Sequence, residues 1–109
     1  MTEKPLILVS NDDGINAQGI GVLTRLMCAL ADVVVVAPDG PRSGAACSMT
    51  VTRPVTLSPI SRTPGLTTVA CSGTPADCVK LALEHVVDRK PTLMVSGINH
   101  GDNASVNVH

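Results

Sequence analysis

Short aliphatic runs alternate along this chain with stretches whose apolar residues recur every third or fourth position. Leu6, Ile7, Leu8 and Val9 form a continuous, β-favouring run bounded by polar residues, which predicts a buried strand over 6–9. From 19 to about 31, Ile20, Leu23, Leu26, Met27 and Leu30 fall on one face of a helix. A second buried strand is predicted over 33–37, an unbroken aliphatic run stopped by Pro38. A loop punctuated by glycine and proline follows over 39–48. Residues 50–57 are compatible with a strand only at an edge or a bend, because Pro54 interrupts them. After the Pro64-Gly65 turn, 66–70 reads as a short strand.

The next signal is a helix start. Thr74 is suited to cap a helix, Pro75 to its first position, and Asp77 lies three residues beyond the cap. Val79, Ala82, Leu83 and Val86 then line one face, Pro91 closes the connection, and 93–96 forms a last strand. Strand-helix-strand followed by strand-helix-strand predicts an α/β fold, a doubly wound, three-layer parallel sheet of Rossmann-like type. Right-handed crossovers bring all the strand C-termini to one edge. The polar loops 11–18, 38–48 and 97–105 therefore converge there.

Bulk properties narrow the function classes. At 109 residues the chain is one α/β domain at most, and its 44% hydrophobic share supports a packed core. A formal charge of −1 with scattered basic residues argues against a nucleic-acid groove or a membrane-surface patch. There is no apolar run of transmembrane length and no signal-peptide pattern at the N-terminus, so the default expectation is cytoplasmic. Cys28, Cys47, Cys71 and Cys78 form no C-x-x-C pair, which favours reduced thiols over a disulfide framework or a thiolate metal site. With no Phe, Tyr or Trp, nothing offers an aromatic platform to a nucleobase. The chain stops at Asn107-Val108-His109 with no helix after its final loop, which is consistent with the N-terminal portion of a longer protein.

The converging loops carry hard oxygen donors: the adjacent carboxylates of Asp12 and Asp13, the hydroxyl of Ser43 and the carboxamide of Asn99. Neighbouring carboxylates repel each other, and a divalent cation compensates them directly. This donor set favours magnesium, manganese or calcium over zinc or copper. Gly14, Gly44, Gly97 and Gly101 let backbone amides approach an anion, and the first helix starts just after the acidic pair. Cation, amides and helix start together suit a phosphate. Plain structural readings stand beside these. Asp-Gly suits a tight turn, Ser43 a loop turn and Asn99 a left-handed backbone angle. Thr74 and Asp77 are most simply a cap, Arg42 a solvated loop cation with the alternative of facing a phosphate, and His85 a surface or boundary residue. His100 and His109 sit near the convergence as ordinary loop histidines.

The motifs also resemble a known family. Asn11-Asp12-Asp13-Gly14-Ile15 with Gly19-Ile20 is similar to the opening of the SurE family of survival proteins. Ala37-Pro38-Asp39 running into Arg42-Ser43-Gly44-Ala45, Gly73-Thr74-Pro75-Ala76-Asp77-Cys78-Val79, and Ser96-Gly97-Ile98-Asn99 match its further motifs in order. The resemblance implies a metal-dependent phosphomonoesterase acting on nucleoside 5′- or 3′-monophosphates, some members also trimming short polyphosphate. It implies one divalent ion per subunit, Mg2+ or Mn2+, held by Asp12, Asp13, Ser43 and Asn99, with Asp12 and Asp13 central to catalysis. Asn11, Gly44 and Asn103 are the accompanying phosphate-contact candidates. It further implies a C-terminal oligomerisation part beyond residue 109, and a homodimer or homotetramer when that part is present.

Two rival readings remain. A receiver-like phosphoacceptor module also places an acidic pair after its first strand, but needs an aspartate at the end of the third strand and a lysine after the last. Residues 50–70 contain no aspartate, and no lysine follows Lys90. The other rival is an inactive fragment of the phosphatase, lacking part of the phosphate pocket.

Overall fold

The computed structural model describes residues 5–40 and 55–97. Their elements are β1 (Leu6–Ser10), α1 (Gln18–Cys28), β2 (Asp32–Pro38), β3 (Leu57–Thr63), β4 (Leu66–Cys71), α2 (Pro75–Leu81) and β5 (Leu93–Ser96). A π-helical turn, Ala82–Val86, continues α2. The five strands form one sheet in the order β3-β4-β2-β1-β5. β4, β2, β1 and β5 run parallel, whereas β3 is antiparallel to β4. Taken alone, the parallel strands stand third-second-first-fourth in chain order, one half of a doubly wound nucleotide-binding sheet with the first strand of the other.

Alternation along the strands divides the core in two. Ile7, Val9, Val33, Val35 and Val95 pack with Ile20 and Leu23 of α1. Leu6, Leu8, Val34, Val36, Val69 and Cys71 pack with Cys78 of α2 and Ala82 of the π turn. Helices therefore cover both faces, and the three-layer expectation holds. Such two-sided burial explains why these strands read as continuous aliphatic runs.

Three expectations need correction. The sheet is mixed rather than wholly parallel, because the tight turn at Gly65 (φ +83°) leaves room only for a hairpin return. Of the strand expected at 50–57, residues 50–54 lie outside the described residues and 55–56 are not strand, while an unexpected strand runs from Leu57 to Thr63. Pro59 is accommodated because β3 is an edge strand whose register shifts between Pro59 and Ser61. Finally, α1 ends at Cys28 rather than near Ala31, and Leu26 within it and Leu30 beyond it are 57% and 69% exposed instead of on the buried face.

At α2 the predicted cap is present in full. Thr74 Oγ1 accepts the Asp77 amide at 3.2 Å, and Asp77 Oδ2 accepts the Thr74 amide at 2.9 Å. Both residues are buried, so the pair satisfies backbone donors that water cannot reach. A Cβ on Gly73 would collide with the Asp77 carboxylate, which explains the glycine that precedes the cap. The π turn adds a residue to the helical turn and rotates the following face. Leu83 consequently points outward, while Val86 and Val87 pack inward.

Candidate metal centre

The acidic pair sits where the doubly wound order reverses direction. β1 lies between β2 and β5, and the parallel pairing of Ser10 with Ser96 brings the C-terminal ends of β1 and β5 side by side. The Gly97 amide, at φ +135°, donates to the Ser10 carbonyl at 3.0 Å and fixes that exit. A crevice outside the strand C-termini at such a reversal is the usual ligand position in open α/β sheets.

A local brace shapes the acidic turn. Asn11 is completely buried; its Nδ2 donates to the Gly14 carbonyl at 3.0 Å and its Oδ1 accepts the Gly14 amide at 3.2 Å. Asp12 and Asp13 are the two residues spanned by this clamp. Gly14 has φ +111°, and a Cβ there would stand 3.2 Å from the backbone of Gly40. The Ile15 amide donates to the Pro38 carbonyl at 2.7 Å, tying the acidic loop to the end of β2. Asn11, expected among phosphate contacts, is thus occupied in holding the turn.

The carboxylates differ in their surroundings. Asp13 engages a partner within the fold. Asp12 Oδ1 is buried and accepts no hydrogen bond, as does Ser10 Oγ two residues earlier. A buried carboxylate oxygen without a donor is costly, and a cation is the partner that suits it best. The structure therefore fits a hard divalent ion at Asp12. Among the described residues no three His, Cys, Asp or Glu side chains gather as a metal cluster. Ser43, Gly44, Asn99 and Asn103 lie outside the described residues, as do Arg42, Cys47, Gly101, His100 and His109. His85 is exposed, in keeping with a surface residue.

Helix α1 begins at Gln18, and its cap residue Ala17 makes no side-chain cap bond. Its first turn carries no acidic residue, so the positive end of the helix meets no carboxylate of its own. A cleft of about 200 Å³ lies at the opposite edge, among Leu6, Asp32, Arg62, Gly65 and Arg89. Arg89 bridges Asp32 there at 3.0 Å. This cleft is at the N-terminal ends of the parallel strands, remote from the acidic pair.

Sequence reasoning missed Ser10 and the thiol pair Cys71 and Cys78. Ser10 ends an aliphatic run, a position where a small polar residue reads only as a boundary. Cys71 and Cys78 are free thiols with no exposed surface, and the half-buried Cys28 is a free thiol too, consistent with reduced cysteines among the described residues. The Cys71 thiol is pulled down to about 7 by its hydrogen bond with Cys78, against the opposing effect of burial. The signal for this contact was spatial, since one cysteine ends β4 and the other lies in the first turns of α2.

The pattern of the family described as Survival protein SurE matches residues 7–109. The chain belongs to the SurE family. It is 56% identical over 108 residues to the 5′-nucleotidase SurE of Bacteroides thetaiotaomicron, covering 99% of this chain and 42% of that protein. Against the 5′-nucleotidase SurE of Flavobacterium johnsoniae it is 54% identical over 107 residues, covering 97% of this chain and 41% of the relative. The crystal structure of the SurE protein from Aquifex aeolicus superposes with a TM-score of 0.76 at 42% identity, covering 91% of this chain and 39% of that one. The chain thus spans about two fifths of the length of the SurE relatives it matches.

Proposed function

We propose that the intact protein is a divalent-cation-dependent phosphomonoesterase of nucleoside 5′- or 3′-monophosphates, with short polyphosphate as a secondary substrate. The observation that carries this reading is the buried, unpartnered Asp12 Oδ1 at the sheet's reversal point, in a SurE chain whose relatives are named 5′-nucleotidases. Asp12, Asp13, Ser43 and Asn99 hold the ion, one Mg2+ or Mn2+ per subunit. When bound, such an ion supplies Lewis-acid polarisation of the phosphoryl group. The carboxylates of Asp12 and Asp13 fix its position and offset its charge. Asn11 keeps their turn closed. The start of α1 favours the phosphate electrostatically, and Gly44 and Asn103 offer further contacts.

Nucleotide selection on this chain uses hydrogen bonds and aliphatic surface, since it has no aromatic side chain to stack on a base. A cytoplasmic location and a homodimer or homotetramer complete the proposal; no helix among the described residues is long and apolar enough to cross a membrane. The phosphoacceptor alternative loses support from the fold. β4, the third parallel strand, ends in Val69, Ala70 and Cys71, with no carboxylate where that chemistry needs one.

A phosphate-release panel tests the substrate class. The intact protein with Mn2+ should release phosphate from nucleoside 5′- and 3′-monophosphates faster than from a sugar phosphate. Equal rates on both classes would remove the nucleotide assignment.

A further inference from the structure

Among the described residues, two buried side-chain oxygens have no hydrogen-bond partner, Ser10 Oγ and Asp12 Oδ1. They stand two residues apart at the C-terminal end of β1. A buried polar group left unmet is destabilising, a carboxylate more so than a hydroxyl, so their occurrence together calls for one explanation. Ser10 is 4% exposed and sits at the reversal point, its carbonyl accepting the Gly97 amide and its backbone paired with Ser96. Leu6 and Leu8 enter the core under α2, so alternation assigns Ser10 to that same face, opposite to Ile7 and Val9.

The two oxygens need different things. The carboxylate accepts only and requires a donor or a positive charge, whereas the hydroxyl both donates and accepts. A hydrated divalent cation serves both: the ion meets the carboxylate and an oxygen of its coordination sphere meets the hydroxyl. We propose that Ser10 is a positioning residue of the cation site, its hydroxyl hydrogen-bonded to an oxygen coordinated to the ion that Asp12 holds. This inference rests on the cation reading above and extends it to a residue outside the four-ligand set. Ser10 does not ligate the ion; it orients what does, and loss of a partner of that kind typically weakens metal affinity or activity about 10–100-fold.

Calorimetric titration of the intact protein with Mn2+ alone tests it, comparing wild type, Ser10→Ala, Ser10→Thr and Asp12→Asn. Ser10→Ala should weaken Mn2+ binding on the order of 10-fold. Its metal-free melting temperature should hold or rise, because the substitution removes an unsatisfied buried hydroxyl. Ser10→Thr, which keeps the hydroxyl, should restore wild-type affinity. The inference is overturned if Ser10→Ala binds Mn2+ like wild type. It is equally overturned if affinity falls only together with the metal-free melting temperature and Ser10→Thr fails to restore it. Asp12→Asn separates the two levels: if it too binds like wild type, the cation reading itself fails. If it abolishes binding while Ser10→Ala does not, only the role of Ser10 falls.

Discussion

Asp12→Asn should lower kcat/KM for nucleoside monophosphates on the order of 100-fold or more at subsaturating Mn2+, the loss expected for a direct ligand when outer-shell partners alone account for 10–100-fold in metal affinity or activity. The substitution keeps the side chain's shape and removes its charge. Asp12 Oδ1 is buried without a hydrogen bond, so no native contact of that oxygen is lost. The adjacent Asp13 is relieved of a like charge. Metal-free stability should therefore be unchanged or slightly higher, even as Mn2+ affinity collapses. This opposite movement separates a metal ligand from a structural turn residue, which would lose stability and leave metal binding alone. An Asp12→Asn protein that binds Mn2+ and turns over like wild type at subsaturating Mn2+ would refute the assignment.

Gly14→Ala should be the most damaging small substitution in the loop. At φ +111° an L-residue is strained by about 1–3 kcal/mol. The new methyl would also press on the backbone of Gly40 at 3.2 Å, and backbone yields less readily than a flexible side chain. The contact joins the loop after β1 to the end of β2, so relief of the strain in either direction displaces the acidic pair. Gly14 is also both donor and acceptor for the Asn11 brace. A melting temperature lower by roughly 3–12 °C is expected in the intact protein, with weaker Mn2+ binding in the fraction that folds. A melting temperature within about 2 °C of wild type would mean that the turn relaxes freely, contrary to this geometry.

How far the fold could be read from the chain depended on what stabilises each element. β1 and β2 were legible because burial on both faces leaves a continuous aliphatic signal, as in Val33 to Val36, and β5 because Leu93, Met94 and Val95 form a short apolar run after Pro91. The start of α2 was legible because Thr74 and Asp77 sit at the capping-box spacing. β3 was misplaced because Ser58, Pro59, Ile60, Ser61, Arg62 and Thr63 are exposed, held by pairing with β4 rather than by an apolar face. Leu83 was assigned to the buried face because a π turn changes the helical period without any mark in the apolar pattern.

The acidic pair was legible because a strand end at one edge of a parallel sheet is fixed by order and handedness alone. The brace formed by Asn11 and the burial of Ser10 were not, since both arise from how the turn closes in space. Ser43 and Asn99 remain sequence assignments, carried by motif and proposal.

The most direct test of the central claim is phosphate release from nucleoside monophosphates by the intact protein, before and after removal of divalent ions with a chelator. The account predicts that activity vanishes in the chelator and returns when Mn2+ or Mg2+ is restored in excess. Activity that persists undiminished in the chelator would contradict it.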